Sequence, residues 1–416
     1  MTDRERLRSL AKEWMELASN PVMEERKALW AKLHGLEMER PMILIETGYI
    51  TDYVRQDELM CSDPFMRKVE RTMLEKLIHT KEVGDDIVLE PNFRIGYTMH
   101  QPSYGVDVIQ KEAKEKGIAY VFEHVIKEPE DMKKLVKREF EIDFEASKKE
   151  KEFFEELFGD IIPVKQCNYS FMDPEGEGVY DWVGTFFFGL TWQLHRFIGL
   201  DEMLYWFYDY PDEFHQMMQY MVDDRLRMFK TIEQSGIIES NADNQMAGPA
   251  FYGYSSKFTR KEGKVTLKDE WAWCESQETT CVSPAMFDEF VLPYLGQLSD
   301  QFGRIYYGCC EALHDRLDII EKRITNLGAV SVSMWNNFPL IAEKIGNKYV
   351  YSRKPAPVCI SGKTFDLEAA KADVLKTYDT AKSCNVEFLF RDLYDIDNDR
   401  TRLANWVSMV KSVYGI

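Results

Sequence analysis

The second half of the chain alternates short apolar runs with longer amphipathic stretches at close spacing. The apolar runs AVSVSMW (residues 329–335) and VEFLFRD (386–392) are separated by FPLIAEKIG and FDLEAAKADVLKTYDTAKSC, whose apolar residues recur at helical spacing. Neighbouring parallel strands need a crossover connection, which is usually a helix. The alternation therefore predicts an α/β fold that is built on a parallel sheet.

About eight strands can be counted along the chain. The residues at or near their ends are Glu46, Asn168, Asn241, Glu275, Cys309, Trp335, Arg353 and Asp392. Eight is the number of strands that closes a (β/α)8 TIM barrel, so we predict this fold. An open doubly wound sheet is the alternative, but no G-x-G-x-x-G or G-x-x-x-x-G-K motif follows a strand to support a nucleotide crevice.

The predicted organisation is a single (β/α)8 barrel domain over residues 1–416 with two additions. Residues 1–40 form an N-terminal helical extension, in which Asn20 and Pro21 mark a helix start. Residues 86–158 are predicted to be an insertion, because the run DDIVLEPNFRIGYTMH alternates apolar and polar residues as extended chain does. A charge-rich helix with a solvated face completes this segment.

The charge of the chain excludes some partners. The formal net charge is −19 at pH 7, which argues against nucleic acid and anionic membranes, since both are bound by clustered Lys and Arg. The charged N-terminus lacks the apolar core of a secretory signal, so a cytoplasmic location is expected. The eight cysteines are then expected to be thiols. Cys309 and Cys310 should not bridge each other, because adjacent residues in extended chain point to opposite faces.

Polar side chains end several of the predicted strands, and in a barrel these ends meet at one mouth. The acids that could act there as catalytic groups are Glu275, Glu278, Glu46 and Asp243. The residues that could bind a substrate are Asn241, Trp335, Lys354 and Tyr307. Aromatic clusters such as DWVGTFFFGLTW and EMLYWFYDYP are mostly expected in the core, but at a barrel mouth they would suit an aromatic ligand.

The run RIYYGCCEALHDR (304–316) groups thiols, a carboxylate and a histidine. Zinc is one interpretation, since its usual ligands are Cys, His and carboxylate, and the candidate ligands are Cys309, Cys310, Glu311 and Asp392. The alternative is a pair of small buried thiols, with Glu311 capping the next helix and His314 on its surface. A cysteine nucleophile has less support, because only His314 is near it in sequence.

Several motifs together resemble the uroporphyrinogen decarboxylase superfamily, and within it the corrinoid-dependent methyltransferases of the O-demethylase type. They are ERPMILIETG, ESQETTCVSPAMFDEFVLPYLGQLSDQFG, YYGCCEALHDRLDIIEKRITNL, SVSMWNN, YVYSRKPAP and VEFLFRDLYDIDNDRTRLANWV. The resemblance covers most of residues 30–415 and implies a barrel with its site at the strand carboxyl ends. The decarboxylases carry two arginines after the first strand, whereas this chain has IETGYITDY there, which disfavours a tetrapyrrole substrate.

The resemblance also implies a metal site. The related methyltransferases hold zinc through a His-x-Cys after one strand and a Cys after the last strand. Here Cys309 matches one ligand, while Tyr307 stands at the His position and Arg391 and Asp392 stand near the second Cys position. Carboxylates such as Glu311 or Asp392 could replace the missing ligands, because zinc also accepts oxygen donors.

The resemblance implies transfer of a methyl group from a small methoxylated, aromatic compound to the Co(I) corrinoid of a separate carrier protein. The carrier is expected as a partner because the chain has no Asp-x-His-x-x-Gly cobalamin motif. A homodimer is compatible with the sequence. The alternatives are a decarboxylase or other lyase that acts on a different substrate in the same barrel, and a binding protein without chemistry.

Overall fold

The structure is a computed structural model that describes residues 1–112, 120–167, 170–172, 186–254 and 264–416. Asn168, which the sequence predicts at a strand end, lies outside these residues. The strands are β1 Met42–Ile45, β2 Phe93–Ile95, β3 Met99–His100, β4 Ile109–Glu112, β5 Tyr120–Glu123, β6 Glu141–Ile142, β7 Val164–Gln166, β8 Asp243–Met246, β9 Tyr252–Tyr254, β10 Trp271–Cys274, β11 Arg304–Tyr307, β12 Leu327–Val332, β13 Val350–Arg353 and β14 Asn385–Phe390.

The helices surround these strands and include long amphipathic ones. They are α1 Asp3–Ala18, α2 Val22–His34, α3 Pro64–Glu82, α4 Phe144–Phe158, α5 Leu190–Ile198, α6 Leu200–Asp209, α7 Pro211–Ser235, α8 Pro284–Phe290, α9 Leu292–Ser299, α10 Leu317–Arg323, α11 Phe338–Ile345, α12 Leu367–Thr380 and α13 Thr401–Tyr414. None of the helices among the described residues combines the length and the apolar character that crossing a membrane requires.

A parallel sheet of six strands forms the centre, in the order β1-β14-β13-β12-β11-β10. From β10 to β14 each strand pairs with the next one along the chain, and a helical connection of one or two helices lies between them. This is the arrangement that parallel pairing requires. The predicted α/β fold with a parallel sheet is confirmed.

The two edges of this sheet have further backbone contacts. Phe187 makes a parallel bridge to Trp273 at the β10 edge, and Asp86 N donates to Ile43 O (2.8 Å) at the β1 edge. Strands β2 and β7 pair in parallel with each other. The strand that was predicted to end at Asn241 does not join the sheet in the described residues, because β8 begins after it and pairs antiparallel with β9. Closure into an eight-stranded barrel stays a prediction.

The predicted helices in residues 1–40 are α1 and α2. Helix α1 begins with a capping box, in which Thr2 Oγ1 accepts from Glu5 N (3.2 Å) and Glu5 Oε2 accepts from Thr2 N (2.7 Å). At the end of α2, His34 Nε2 lies 3.0 Å from Glu387 Oε2 of β14, and both side chains are fully buried. Residues 86–158 contain β2 to β6 and α4, and β2 ties this segment to β7 beyond it.

Side chains of the central sheet alternate between two apolar layers, as the period of two in a strand requires. One layer contains Met42, Leu44, Trp271, Trp273, Tyr306, Ala329, Val350 and Leu389. The other contains Ile43, Ile45, Ala272, Cys274, Ile305, Tyr307, Val330, Tyr351 and Phe388. Both layers are buried, so the strands are apolar on both faces, as expected for a parallel sheet that is covered on both sides.

The alternation also carries Arg353, the last residue of β13, toward helix α12. Its Nη2 lies 2.7 Å from both carboxylate oxygens of Asp373, and its Nε donates to Thr377 Oγ1 (3.0 Å). The Arg353 side chain is fully buried and that of Asp373 is 9% exposed. This pair fastens α12 to the sheet, so the prediction that Arg353 faces the mouth with Lys354 is wrong.

Substituting one partner of this pair should destabilise the fold strongly. We expect Asp373→Ala to lower the free energy of unfolding by about 3–5 kcal/mol, because the Arg353 charge stays buried without a counter-ion. The double variant Arg353→Met/Asp373→Leu should recover most of the loss, since it removes both charges. Urea denaturation measures both.

The matched control is Lys149→Ala, which breaks an exposed pair with Glu145 (3.0 Å) on α4. This change should cost no more than about 0.5 kcal/mol. A similar small cost for Asp373→Ala would contradict the assignment of the Arg353 pair as a structural clamp.

Candidate active site

The parallel strands bring several polar residues to one edge of the sheet, which we call the carboxyl edge. Glu275 follows β10, Cys309 and Cys310 follow β11 after Gly308, and Arg391 follows β14. Glu46 follows β1, and its backbone N donates to Phe390 O of β14 (2.8 Å). These residues are far apart in sequence and meet because parallel strands end at the same side.

Three glutamates are held at this edge by hydrogen bonds to the backbone or to a hydroxyl. Glu311 Oε1 accepts from Ser276 N (3.1 Å), and its Oε2 accepts from Cys309 N (2.8 Å). Glu275 Oε2 accepts from Gln277 N (2.9 Å). Glu278 Oε2 accepts from Thr191 Oγ1 (2.8 Å) in the first turn of α5. Glu311 thus joins the loops that follow β10 and β11.

Burial of these three acids disfavours their ionised forms. Burial raises the pKa of Glu275 well above its usual range, and the charges of Glu278 and Glu311 raise it further. Burial raises the pKa of Glu278 to about 7, although the Thr191 hydroxyl opposes this shift. Burial raises the pKa of Glu311 in spite of its backbone hydrogen bonds. Glu275 and Glu278 therefore keep their protons to a higher pH than ordinary glutamates do.

The two adjacent cysteines lie side by side. Their Sγ atoms are 3.6 Å apart, so the prediction that they point to opposite faces is wrong. The chain is not extended here, because β11 ends at Tyr307 and Gly308 takes a φ of +98°. A Cβ at Gly308 would lie 2.9 Å from Leu313 Cδ1, so only glycine fits this turn. All eight cysteines are free thiols.

Arg391 and Asp392 lie next to the thiols. Arg391 Nη1 lies 3.7 Å from Cys309 Sγ, and Cys310 Sγ lies 3.5 Å from Asp392 Oδ2. Arg391 Nε is also 3.4 Å from Glu46 Oε2 and 3.3 Å from Asp392 Oδ1. The hydrogen bond with Cys310 and burial raise the pKa of Cys309, while Arg391 opposes this shift.

The predicted zinc ligands do not form a donor set in this arrangement. Both oxygens of Glu311 are engaged by backbone N–H groups, and the Arg391 guanidinium lies 3.7 Å from Cys309 Sγ. Among the described residues, no three His, Cys, Asp or Glu side chains are grouped to hold a metal ion. Zinc stays a prediction from the resemblance, and no chemical step is derived through it.

A cavity of about 540 Å³ opens beside the glutamates, and we call it the carboxyl-edge cavity. It is lined by Phe122, Trp192, His195, Leu200, Gln277, Glu278, Thr280, Cys310, Glu311 and Trp335. Trp335 is 65% exposed and Phe122 is buried, so the aromatic wall runs from the surface inward. The cavity combines flat apolar walls with acidic groups and one thiol, as small-molecule sites do.

The structure assembles some of the predicted site residues and leaves others apart. Glu278, Glu311, Cys310 and Trp335 line the carboxyl-edge cavity, and Glu275 and Cys309 lie beneath it without lining it. Asn241 is at the opposite end of β10, where its Oδ1 accepts from Trp271 N (2.8 Å). The expectation that Asn241 faces the mouth is therefore wrong.

Three further predicted residues stand outside the cavity wall. Asp243 begins β8, and its backbone O accepts from Arg94 Nη2 (3.2 Å). Tyr307 is buried in the layer that faces away from Tyr306. Lys354 Nζ donates to Pro249 O (2.8 Å) and lies 5.3 Å from the centre of the Tyr306 ring. Burial and Arg391 lower the pKa of Lys354 to about 8.

The sequence analysis named the aromatic cluster that ends at Trp192 of α5, but it did not single out Thr191 or His195. Thr191 bonds Glu278, and Trp192 and His195 line the cavity. Burial, and then the neighbouring His124, lowers the pKa of His195, so this imidazole is neutral near pH 7. The run GLTWQLHRF contains these residues, and the polar residues Thr191, Gln193, His195 and Arg196 on an otherwise apolar helix were the available signal.

Comparisons with known proteins give no family assignment. No protein-family model matches the chain, and the search of curated proteins finds no match. The resemblance to uroporphyrinogen decarboxylases and corrinoid-dependent methyltransferases therefore stays a prediction from the motifs.

The raised pKa of Glu278 predicts a pH-dependent stability. In the unfolded chain a glutamate loses its proton near pH 4.5, whereas folded Glu278 keeps it to about pH 7. Stability should fall as pH rises through this window, because the folded state binds more protons. Glu278→Gln should remove this contribution, so its Tm relative to the unmodified protein should rise by on the order of 2 °C from pH 5 to pH 8.

Calorimetry at both pH values measures the difference, with exposed Glu289→Gln of α8 as the matched control. The Tm of Glu289→Gln relative to the unmodified protein should be the same at pH 5 and at pH 8. If the Tm difference for Glu278→Gln is also the same at both pH values, Glu278 titrates as an ordinary glutamate and the prediction is wrong.

Proposed function

We propose that the chain is a methyltransferase that moves a methyl group from a small methoxylated aromatic compound to the Co(I) corrinoid of a separate carrier protein. The observation that carries this proposal is Glu278, a carboxyl with a pKa of about 7 in the wall of an aromatic-lined cavity. Removing a methyl group from an aryl ether leaves a phenolate, which is a poor leaving group at neutral pH. A proton donor of this pKa meets that need.

The reaction balances with one proton. The C–O bond of Ar–O–CH3 breaks, the methyl group forms a bond to cobalt, and the ether oxygen takes a proton from Glu278 to leave as Ar–OH. The reduced corrinoid of the carrier protein supplies the nucleophile. Glu278 then recovers its proton from solvent, and Thr191 keeps its carboxyl oriented (2.8 Å).

The other residues tune and shape the site. Phe122, Trp192 and Trp335 present flat surfaces that suit an aromatic ring. The charge of Glu311 raises the pKa of Glu278, and this favours the protonated form of Glu278. His195 is neutral, so its ring nitrogens can donate a hydrogen bond to a ring substituent or accept one from it. None of these roles requires a metal ion.

The proposal also includes the closure of the parallel sheet into a barrel. We infer an eight-stranded barrel in which the parallel pair β2 and β7 completes the six-stranded sheet. The contacts of Phe187 at the β10 edge and of Asp86 at the β1 edge support this, since both edges continue beyond the six strands. Such a barrel places its site at the strand carboxyl ends, where the carboxyl-edge cavity lies.

The partner is inferred from an exposed rim around the carboxyl edge. Trp335 (65% exposed), Val358 (72%), Tyr394 (40%) and Tyr49 (40%) follow β12, β13, β14 and β1, which are consecutive in the sheet. A run of large apolar side chains on one edge is typical of a protein-binding surface. The corrinoid carrier would cover the cavity there and exclude water from the reaction.

A decarboxylase is the second candidate. Two cations, Arg391 and Lys354, lie at the carboxyl edge and would suit a carboxylate substrate. Arg391 is already engaged by Glu46 and Asp392, so the methyltransferase is favoured. A decarboxylase would release CO2 without a corrinoid, which separates the two reactions.

The decisive assay mixes the purified protein with a reduced corrinoid protein and methoxybenzenes, and follows methyl-Co(III) by absorbance. We expect turnover that depends on both the carrier and the ether. Formation of CO2 from aromatic acids without the carrier would support the decarboxylase instead. If no methyl-Co(III) forms with methoxyarenes, methylamines or methanol, the methyltransferase proposal is wrong.

The role of Glu278 is testable through the leaving group. Glu278→Gln should lower kcat/KM by about 10²–10⁴-fold for a methoxyarene with a basic phenol product. For methyl nitrophenyl ethers the loss should be much smaller, because nitrophenolate leaves without a proton. The unmodified enzyme should lose activity as pH rises through about 7, and Glu278→Gln should not. Glu289→Gln controls for a change of charge, and an equal loss with both ethers would contradict proton donation.

A further inference from the structure

A second cavity, of about 330 Å³, lies against helix α3, and we call it the α3 cavity. One face of α3 lines it with Lys68, Arg71, Thr72, Glu75, Lys76 and His79, which recur at helical spacing. The other walls are apolar and aromatic and include Trp30, Leu44, Leu89, Phe171, Tyr252 and Tyr254. The cavity shares no lining residue with the carboxyl-edge cavity.

The acids that line the α3 cavity are all paired with cations. Glu46 lies 3.4 Å from Arg391, and Glu75 lies 3.2 Å from Lys76. The same holds for Asp86, at 2.7 Å from Arg40, and for Glu90, at 2.9 Å from Lys27. The negative charges of the wall are therefore neutralised by the protein itself.

Arg71 differs from these cations. In the described part of the chain its side chain makes one hydrogen bond, from Nη1 to Val54 O (2.8 Å), and no ion pair. It is partly buried, and burial and the nearby charge of Arg67 lower the pKa of Arg71. A guanidinium in a half-enclosed wall without a carboxylate leaves most of its donors for a ligand, and a carboxylate is the group its planar fork matches best.

The aromatic wall defines the rest of the ligand. Trp30 and Tyr254 stack with ring centroids 5.9 Å apart and an interplanar angle of 6°, and both are held by hydrogen bonds. Trp30 Nε1 donates to Asp86 O (2.9 Å), and Tyr254 Oη donates to Asn244 Oδ1 (2.6 Å). Their polar groups are thus engaged and their rings form a rigid surface. A cavity of this size and lining suits a single substituted ring.

We propose that the α3 cavity binds a small aromatic monocarboxylate whose carboxylate pairs with Arg71. The site can be tested separately from the proposed methyl transfer, because the ligand carboxylate pairs with Arg71 and binding requires no corrinoid. Glu46 and Tyr49 of the carboxyl edge line the α3 cavity, but no residue that lines the carboxyl-edge cavity does. Benzoate is the simplest probe of the ligand class. Benzamide has the same shape without the charge.

Calorimetric titration of the full chain tests the site. Benzoate should bind at least about tenfold more tightly than benzamide, because the bond to Arg71 is charge-assisted. Arg71→Gln should weaken benzoate binding by about tenfold or more and leave benzamide unchanged, and Arg71→Lys should fall between. The matched control is Arg323→Gln, at the end of α10, which removes a cation elsewhere and should change nothing.

Photolabelling of the unmodified protein with 4-azidobenzoate gives a second test that needs no variant. Label should be recovered in peptides of α3 or of β8 and β9, and excess benzoate should prevent it. Equal binding of benzoate and benzamide, unchanged affinity in a folded Arg71→Gln variant, or label on the Trp335 loop would each overturn the proposal. Methyl transfer by a protein that does not bind benzoate would contradict this site alone. Benzoate binding by a protein without methyl transfer would contradict the proposed function alone.

Discussion

The parallel orientation of the central strands is the constraint on which the rest of the structure depends. Because every strand of the six-stranded sheet runs the same way, each must be reached by a crossover, and the loops at one edge are free to carry polar groups. Glu311 uses this edge directly, since its two oxygens accept the N–H groups of Ser276 and Cys309 and so fix the loops after β10 and β11 against each other.

This fixation has an electrostatic consequence. Glu311 cannot move away from Glu275 and Glu278 without breaking its backbone bonds, so three acids stay close together in a poorly solvated place. Like charges that cannot separate are relieved by keeping protons. Glu278 and Glu311 both line the cavity, but both oxygens of Glu311 accept backbone N–H groups, so Glu278 is the acid whose proton a ligand can reach. The stability lost to crowded acids and the proposed proton donation by Glu278 would have the same origin.

Sequence patterns could predict the parallel sheet, the two N-terminal helices and the position of Glu278, Cys310, Glu311 and Trp335 after the sheet strands, where they line one cavity. They follow from local periodicity and from polar residues at strand ends. The patterns could not show that Asn241 supports the start of β10, since its strand pairs outside the main sheet. They also could not bring the sulfur atoms of Cys309 and Cys310 together, because that depends on the backbone turn at Gly308. The contribution of α5 is a tertiary contact between distant segments.

The two cavities place opposite electrostatic demands on the same edge of the sheet. A bound carboxylate near the glutamates would raise their pKa values further and hold the proton that Glu278 would donate in the proposed methyl transfer, whereas at Arg71 it would form an ion pair. Glu46, Arg391, Cys309 and Cys310 form a continuous row of contacts between the α3 cavity and the carboxyl-edge cavity. Arg391 in that row pairs with Glu46 and Asp392, so the residues between the two cavities carry charges of both signs.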